Sequence, residues 1–153
     1  MINYLSSLGK KSQIAFKNMI ENKTKNKVLD KFVFLIEKEK QLITKENNKD
    51  INLAIKKKLK ENLIDRLLLN SAKLKGIQSA IRNISKLKDP VNVTLHKWRR
   101  PNGLIIKKIS IPIGVIGIIF ESRPNVTSDV SSLCFKSGNA VILRGGSEAF
   151  NTN

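Results

Sequence analysis

Two short stretches of this 153-residue chain hold most of the residues whose types could do chemistry. In the first, the apolar, largely β-branched run Val115 to Phe120 gives way at once to Glu121-Ser122-Arg123-Pro124-Asn125-Val126-Thr127. A short, wholly apolar run of this kind is typical of a strand buried on both faces of a parallel sheet. Polar residues directly after it then fall at the carboxyl end of the strand, where open α/β sheets gather their ligands. Ser122 and Arg123 could contact a phosphate or a carboxylate, since a guanidinium suits both anions. An ion pair with Glu121 or with another subunit is the plainer use of the same arginine. Asn125 could be an N-cap for the helix that follows. In the second stretch, Ala140 to Leu143 reads as another buried strand, and Arg144-Gly145-Gly146-Ser147 follows it. Gly145 and Gly146 would let a ligand come close to the backbone, although a plain turn is the commoner meaning of such a pair. Neither stretch carries a GxGxxG dinucleotide fingerprint.

Cys134 and His96 are the remaining reactive types, one of each in the chain. Cys134 falls between Leu133 and Phe135 in an expected helix with no base close in sequence, which marks inert packing rather than a nucleophile. A single histidine with no Cys/His spacing around it makes no metal site. Trp98, two residues on, reads as a hairpin-packing or interface residue.

These residues are positioned by two parts of different character, changing near Asp89-Pro90. Residues 1–89 are helical. Leu5, Leu8, Ala15, Phe16 and Met19 mark one face of a first helix. Thr24 can cap a second, with Val28, Leu29, Phe32, Val33 and Ile36 on its apolar face and Leu42 and Ile43 as a possible extension. Asn47-Asn48-Lys49-Asp50 reads as a break before a short helix with Ile51, Ala54 and Ile55. Ser71 reads as the N-cap of a helix with Leu74, Ile77, Ile81 and Ile84 on one side. Residues 90–111 read as a hairpin, Val93 to Trp98 and Leu104 to Ile111 around the turn Arg100-Pro101-Asn102-Gly103. Residues 112–153 give a strand, a helix from Val126 to Lys136, a stop at Gly138-Asn139 and a second strand: a βαβ unit, the entry to a doubly wound nucleotide-binding fold. The second crossover helix would begin where the chain stops, so a fragment of a larger sheet is expected.

The formal net charge is +17, which in a chain of this size first points to nucleic acid. Residues 1–100 carry 24 basic and 9 acidic groups, residues 101–153 only 5 and 3, so the excess is spread along helices rather than gathered in one motif. It is also 23 Lys against 6 Arg, whereas base and phosphate readout favours the arginine fork. With 16 Asn and 20 Ile beside it, the lysine content fits a drift in base composition, and no specific nucleic-acid partner is expected. The longest apolar or glycine run, Ile113 to Phe120, is far short of the ~20 residues that span a bilayer, and the N-terminus has no signal-peptide pattern. One cysteine fits a reducing cytoplasm.

The string PIGVIGIIFESRPNVT, followed by LCFKSGNAVILRGGSEA, closely resembles γ-glutamyl phosphate reductases, also called glutamate-5-semialdehyde dehydrogenases, of the aldehyde dehydrogenase superfamily. IDRLLLNSAKLKGI and KDPV upstream look like the same family's helical region, so the resemblance covers the chain from about Asn47 onward. It implies an α/β architecture: N-terminal helices and a hairpin similar to the superfamily's oligomerisation arm, leading into the first βαβ of a Rossmann-like NADP-binding domain, incomplete here. It implies NADPH-dependent reduction of γ-glutamyl phosphate to glutamate semialdehyde and phosphate in proline biosynthesis, in a homo-oligomer, through a cysteine thiolate and a thioester. Asn125 matches the superfamily position whose side-chain amide donates to the oxyanion, and Arg144 the position of a basic residue at the adenosine ribose. Ser147 stands where NAD-using relatives often carry a carboxylate; serine beside arginine tolerates a 2′-phosphate, which favours NADP, with Glu148 the dissenting neighbour. The family's nucleophile lies downstream of these motifs, so this chain alone is expected to be inactive. The other expectation is a non-catalytic fragment that pairs with a complementary or full-length reductase chain.

Overall fold

In the computed structural model, which describes residues 2–18 and 22–153, the helical part resolves into α1 (Ile2–Lys17), α2 (Asn22–Lys38), α3 (Lys40–Lys56), α4 (Glu61–Leu67) and α5 (Ser71–Lys86). A hairpin of β1 (Thr94–Arg99) and β2 (Ile105–Ile109) follows, then β3 (Val115–Ile119), α6 (Pro124–Lys136), β4 (Ala140–Arg144) and a single 3₁₀ turn, Ser147–Ala149.

The core lies where α2, α5 and α6 meet. Leu29, Val33 and Ile36 of α2 face Leu74, Ile77, Ile81 and Ile84 of α5, with Leu69 closing one end and Phe135 of α6 packed against the cluster. Both helical stripes are thus the ones that the 3.6-residue period marks, except that Val28, expected on the α2 face, is exposed, and each buried Leu or Ile contributes about 1.5–3 kcal/mol over its exposed state. A smaller cluster of Ala54, Leu67 and Ala149 joins α3, α4 and the 3₁₀ turn. On α1 the stripe is only partly used: Ser12 is the buried residue, Leu8 and Phe16 are half-buried and Leu5 is exposed, while Met19 lies outside the described residues.

Several local expectations are corrected. The second helix stops at Lys38, so Leu42 and Ile43 belong to α3, and Thr24 sits inside α2 rather than capping it. The expected break at Asn47–Asp50 is the middle of α3, which also absorbs the short helix expected around Ile51. Turn-forming side chains are tolerated there because Asn47 and Asp50, each 1% exposed, point inward at backbone groups that need partners. The Asn47 carboxamide donates to Leu67 O at 2.8 Å and accepts from Leu69 N at 2.8 Å. The cap of α5 is Asn70, which accepts from Lys73 N, one residue before the expected Ser71.

The hairpin closes as read: Gly103 N donates to Arg100 O and Arg100 N to Leu104 O, with Gly103 at φ +86°. That is a type I turn followed by a left-handed residue, which glycine adopts without a Cβ penalty. The β1–β2 pair is antiparallel and exposed along nearly all its length, with a register shift between Thr94 and His96. The β3–β4 pair is parallel with Ile119 opposite Arg144, as a βαβ unit requires. The sheet has two strands, and the expected two-sided burial of β3 is not met: Ile119 is 79% exposed, because among the described residues nothing covers that part of the strand.

Asp89, at the sequence boundary, ties the parts together. Its carboxylate accepts from Lys25 Nζ at 2.9 Å and from Val91 N at 2.9 Å, while Lys25 Nζ also reaches Lys136 O. Lys136 in turn donates to Asn26 Oδ1 and Ser85 O. Burial alone would raise the Asp89 pKa, but the Val91 and Lys25 hydrogen bonds and the charges of Lys25 and Lys136 together hold it below its ordinary value.

Two stability predictions follow from these contacts. Asn47→Ala leaves Leu67 O and Leu69 N buried without that partner and should cost about 3 kcal/mol in denaturant unfolding. Asp89, held ionised below its ordinary range, stabilises the fold above that range, and the contribution fades as pH falls through the lowered value. Asp89→Asn should therefore cost about 3 kcal/mol near neutrality, where it strands buried Lys25, and much less at a pH below the lowered value. Equal costs at both pH values would refute the second prediction.

Candidate functional site

The carboxyl end of β3 is followed by a tight turn, Arg123 N to Glu121 O at 2.5 Å, and then by Pro124 at the first position of α6. Proline suits that position because its missing N–H would be an orphan there anyway. The helix begins two residues earlier than the expected Val126, with Arg123 at the N-cap and no side-chain cap bond. Asn125 is therefore not an N-cap. Its Nδ2 donates to Asp129 Oδ2 one turn along α6, at 3.1 Å. One amide hydrogen is committed to Asp129, and among the described residues no second partner takes the other.

Asn125 lines a cleft of about 490 Å³ between α4, α5 and the start of α6. Asp65, Arg66, Leu69, Lys73, Gly76 and Ala80 form one wall and Arg123 and Asp129 belong to the other. The wall is open at Gly76, where a Cβ would meet nothing within 4 Å. Arg66 and Arg123 also line an adjoining cleft of about 330 Å³ with Phe120, Glu121 and Ser122. Ser122 is buried and Arg123 exposed. Among the described residues no ion pair joins Arg123 to Glu121.

Arg144 ends β4 next to Ile119, and Phe120 N donates to Arg144 O at 3.0 Å, so the two strand ends stay together. Arg144 and Ser147 are exposed; Gly145 and Gly146 are half-buried. A Cβ on Gly145 would lie 3.3 Å from the Phe120 ring, and one on Gly146 would collide with the Glu148 carboxylate. Ser147 Oγ lies 3.3 Å from Glu148 Oε1. An exposed guanidinium with a hydroxyl three residues on is a donor set that fits a ribose 2′-phosphate, provided that the Glu148 carboxylate turns to solvent. Ser122, Arg123 and Asn125 thus share the two clefts, whereas Arg144 to Ser147 stand beside them at the next strand end.

This stretch is found repeatedly in curated proteins. The chain is 44% identical over 153 residues to the γ-glutamyl phosphate reductase of Clostridium novyi, covering 99% of this chain and 37% of that protein. It is 54% identical over 111 residues to the enzyme of the same name from Citrifermentans bemidjiense, covering 72% of this chain and 27% of the relative. The chain is homologous to the γ-glutamyl phosphate reductases. The fold agrees: the crystal structure of the Thermotoga maritima γ-glutamyl phosphate reductase superposes with a TM-score of 0.88 at 38% identity, covering 94% of this chain and 34% of that one. The Saccharomyces cerevisiae enzyme gives 0.90 at 31% identity, covering 95% and 38%. The match is to the N-terminal region of that fold, and this chain spans little more than a third of its relatives' length. No family model matches it.

Arg66, Lys73 and Asp129 join the site without having been singled out from the sequence. Arg66 and Lys73 lie in the reductase-like string IDRLLLNSAKLKGI, but nothing in it separates them from the other cations of the helices. The Asn125/Asp129 spacing of four was the one available signal.

Cys134 is buried on α6, and desolvation raises its thiol pKa. Alkylation by iodoacetamide should be about tenfold slower or more in the native chain than in the unfolded one, and should keep rising above the pH where the unfolded thiol is fully ionised. Fast labelling of the native chain near neutrality would contradict this.

Proposed function

We propose that this chain supplies the oxyanion-donor side and the NADP-binding edge of a cytoplasmic γ-glutamyl phosphate reductase of proline biosynthesis. The observation that carries the reading is the Asn125 amide. It sits at the carboxyl end of β3, is free of capping, is held by Asp129 and opens on a cleft lined by arginines. When a thiolate attacks an acyl phosphate, negative charge develops on the carbonyl oxygen, and a pre-positioned amide N–H stabilises it without reorganising. The two arginines lining the adjoining clefts favour an anionic substrate such as γ-glutamyl phosphate. Arg144 and Ser147 would hold the 2′-phosphate of NADP(H), and the Gly145-Gly146 backbone would run beside it. NADPH, when bound, supplies the hydride that reduces the acyl group. Cys134 is not the nucleophile, so these 153 residues provide no activated thiolate and do not turn over alone.

The hairpin supports a second role. Leu95, Leu104, Ile105 and Ile109 are exposed on it, and Ile111 and Ile113, which follow it, are exposed as well. An apolar surface of this kind favours burial against another protein, either in a homo-oligomer or with a complementary or full-length reductase chain.

Fusing residues 1–153 to the remaining part of the C. novyi relative tests the first reading. The fusion should oxidise glutamate semialdehyde in the presence of phosphate and NADP, and Asn125→Ala should lower kcat by about 10²–10³. The 153-residue chain alone should show no turnover. A folded fusion that turns over no substrate, or a chain that turns over by itself, would overturn the reading.

A further inference from the structure

The larger cleft carries charges of both signs that the oxyanion role leaves unused. Arg66, on α4, and Arg123, before α6, line it from different walls, and among the described residues neither is in an ion pair. Lys73 is already engaged, with Asp65 O at 2.5 Å and Asp65 Oδ1 at 3.5 Å. Asp129 has one carboxylate oxygen on the Asn125 amide, while the other, Oδ1, is buried and among the described residues has no hydrogen-bond partner. A carboxylate with an unfilled oxygen has capacity for a further donor and gains by turning toward one. Gly76 and Ala80, one turn apart on α5, leave the space in front of these groups open.

We propose that this cleft is a head-group site for an α-amino acid, in which Arg66 and Arg123 hold the α-carboxylate and Asp129 receives the α-ammonium. The inference rests on the reductase reading for its substrate but adds the part of the molecule that is selected. Asn125 and Asp129 touch, so a ligand meeting both must carry an acyl oxygen and a cation only a few bonds apart. A γ-acylated glutamate does so, and its carboxylate then falls to the two unpaired guanidinium groups. Arginine is suited to that task because its planar fork matches a carboxylate. The volume, about 490 Å³, is in the range of small-molecule sites.

Amide-resolved NMR titration of the chain tests the site with three stable probes: L-glutamate, glutarate, which lacks the ammonium, and 4-aminobutyrate, which lacks the α-carboxylate. L-Glutamate should shift the amides around Arg66, Gly76 and Arg123 to Asp129, and should bind about tenfold tighter or more than either analogue. Arg66→Gln and Arg123→Gln should each weaken glutamate and glutarate about tenfold. Asp129→Asn should abolish the preference for glutamate over glutarate, and Arg82→Gln, away from the cleft, should change nothing. Equal binding of the three probes, shifts centred elsewhere, no binding, or indifference to Arg66 and Asp129 would each overturn the proposal. If the isolated chain lacks a dispersed spectrum, the same order of preference is read from inhibition of the fusion. The titration needs neither cofactor nor acyl phosphate, so a missing head-group site and a missing reductase activity are separate results.

Discussion

One buried carboxylate holds the candidate site in shape. Asp50, in the middle of α3, accepts from the backbone and side chain of both Asn151 and Thr152, which fills its two oxygens with four donors. One turn earlier, Asn47 binds the backbone on either side of the α4–α5 connection and also reaches Thr152 Oγ1. The segment after β4 is thereby fixed to α3, and Asn153 Oδ1 accepts from Thr127 Oγ1 in the first turns of α6. Both walls of the cleft therefore hang on the same two side chains. A charge buried at this depth is tolerable only when fully hydrogen-bonded, and an unfilled oxygen would cost several times what each bond contributes net.

The second constraint is electrostatic. With 29 basic and 12 acidic residues the chain repels itself, yet two of its lysines, Lys25 and Lys136, are almost fully buried. They are tolerated because Asp89 and a set of carbonyl and amide oxygens surround them at the junction of α2, α5 and α6. The other lysines whose side chains are described stay exposed or half-exposed, where mutual repulsion is screened. Arg66 and Arg123 stand out against that background because they line one cleft and, among the described residues, neither is in an ion pair.

Much of the fold was legible because periodicity reports burial directly. The stripes of α2 and α5, the hairpin turn and the βαβ order all follow from spacings of three and four, from a turn sequence and from two short apolar runs. The misreadings share a cause. Asn47 and Asp50 are turn formers by local preference, but a tertiary demand for buried polar partners turned them into helix-interior anchors. Asn70 and Ser71 are both good caps, and only the geometry of the preceding loop decides between them. For the candidate site, what was legible is that Ser122 to Asn125 and Arg144 to Ser147 follow strand ends. The cleft wall that Arg66 supplies from a helix distant in sequence was not legible, because no local pattern distinguishes it from solvent, and Asp129 offered only its spacing of four from Asn125.

The two halves of the site are not equally fixed. Asn125 rides on a helix that packs into the main core, starts at a buried proline and carries its own hydrogen-bonded orienting group. Such an amide is pre-organised, which is what transition-state stabilisation requires. Arg144 and Ser147 instead stand exposed at and just beyond the end of β4, beside the exposed Ile119 of β3, with the Glu148 carboxylate close to Gly146. Their backbone is placed by the Phe120 to Arg144 hydrogen bond and by Asp50, but their side chains are not. The consequence is an ordering of dependence: the Asn125 amide is oriented within these 153 residues, whereas the side chains of Arg144 and Ser147 stay open to whatever meets the exposed ends of β3 and β4.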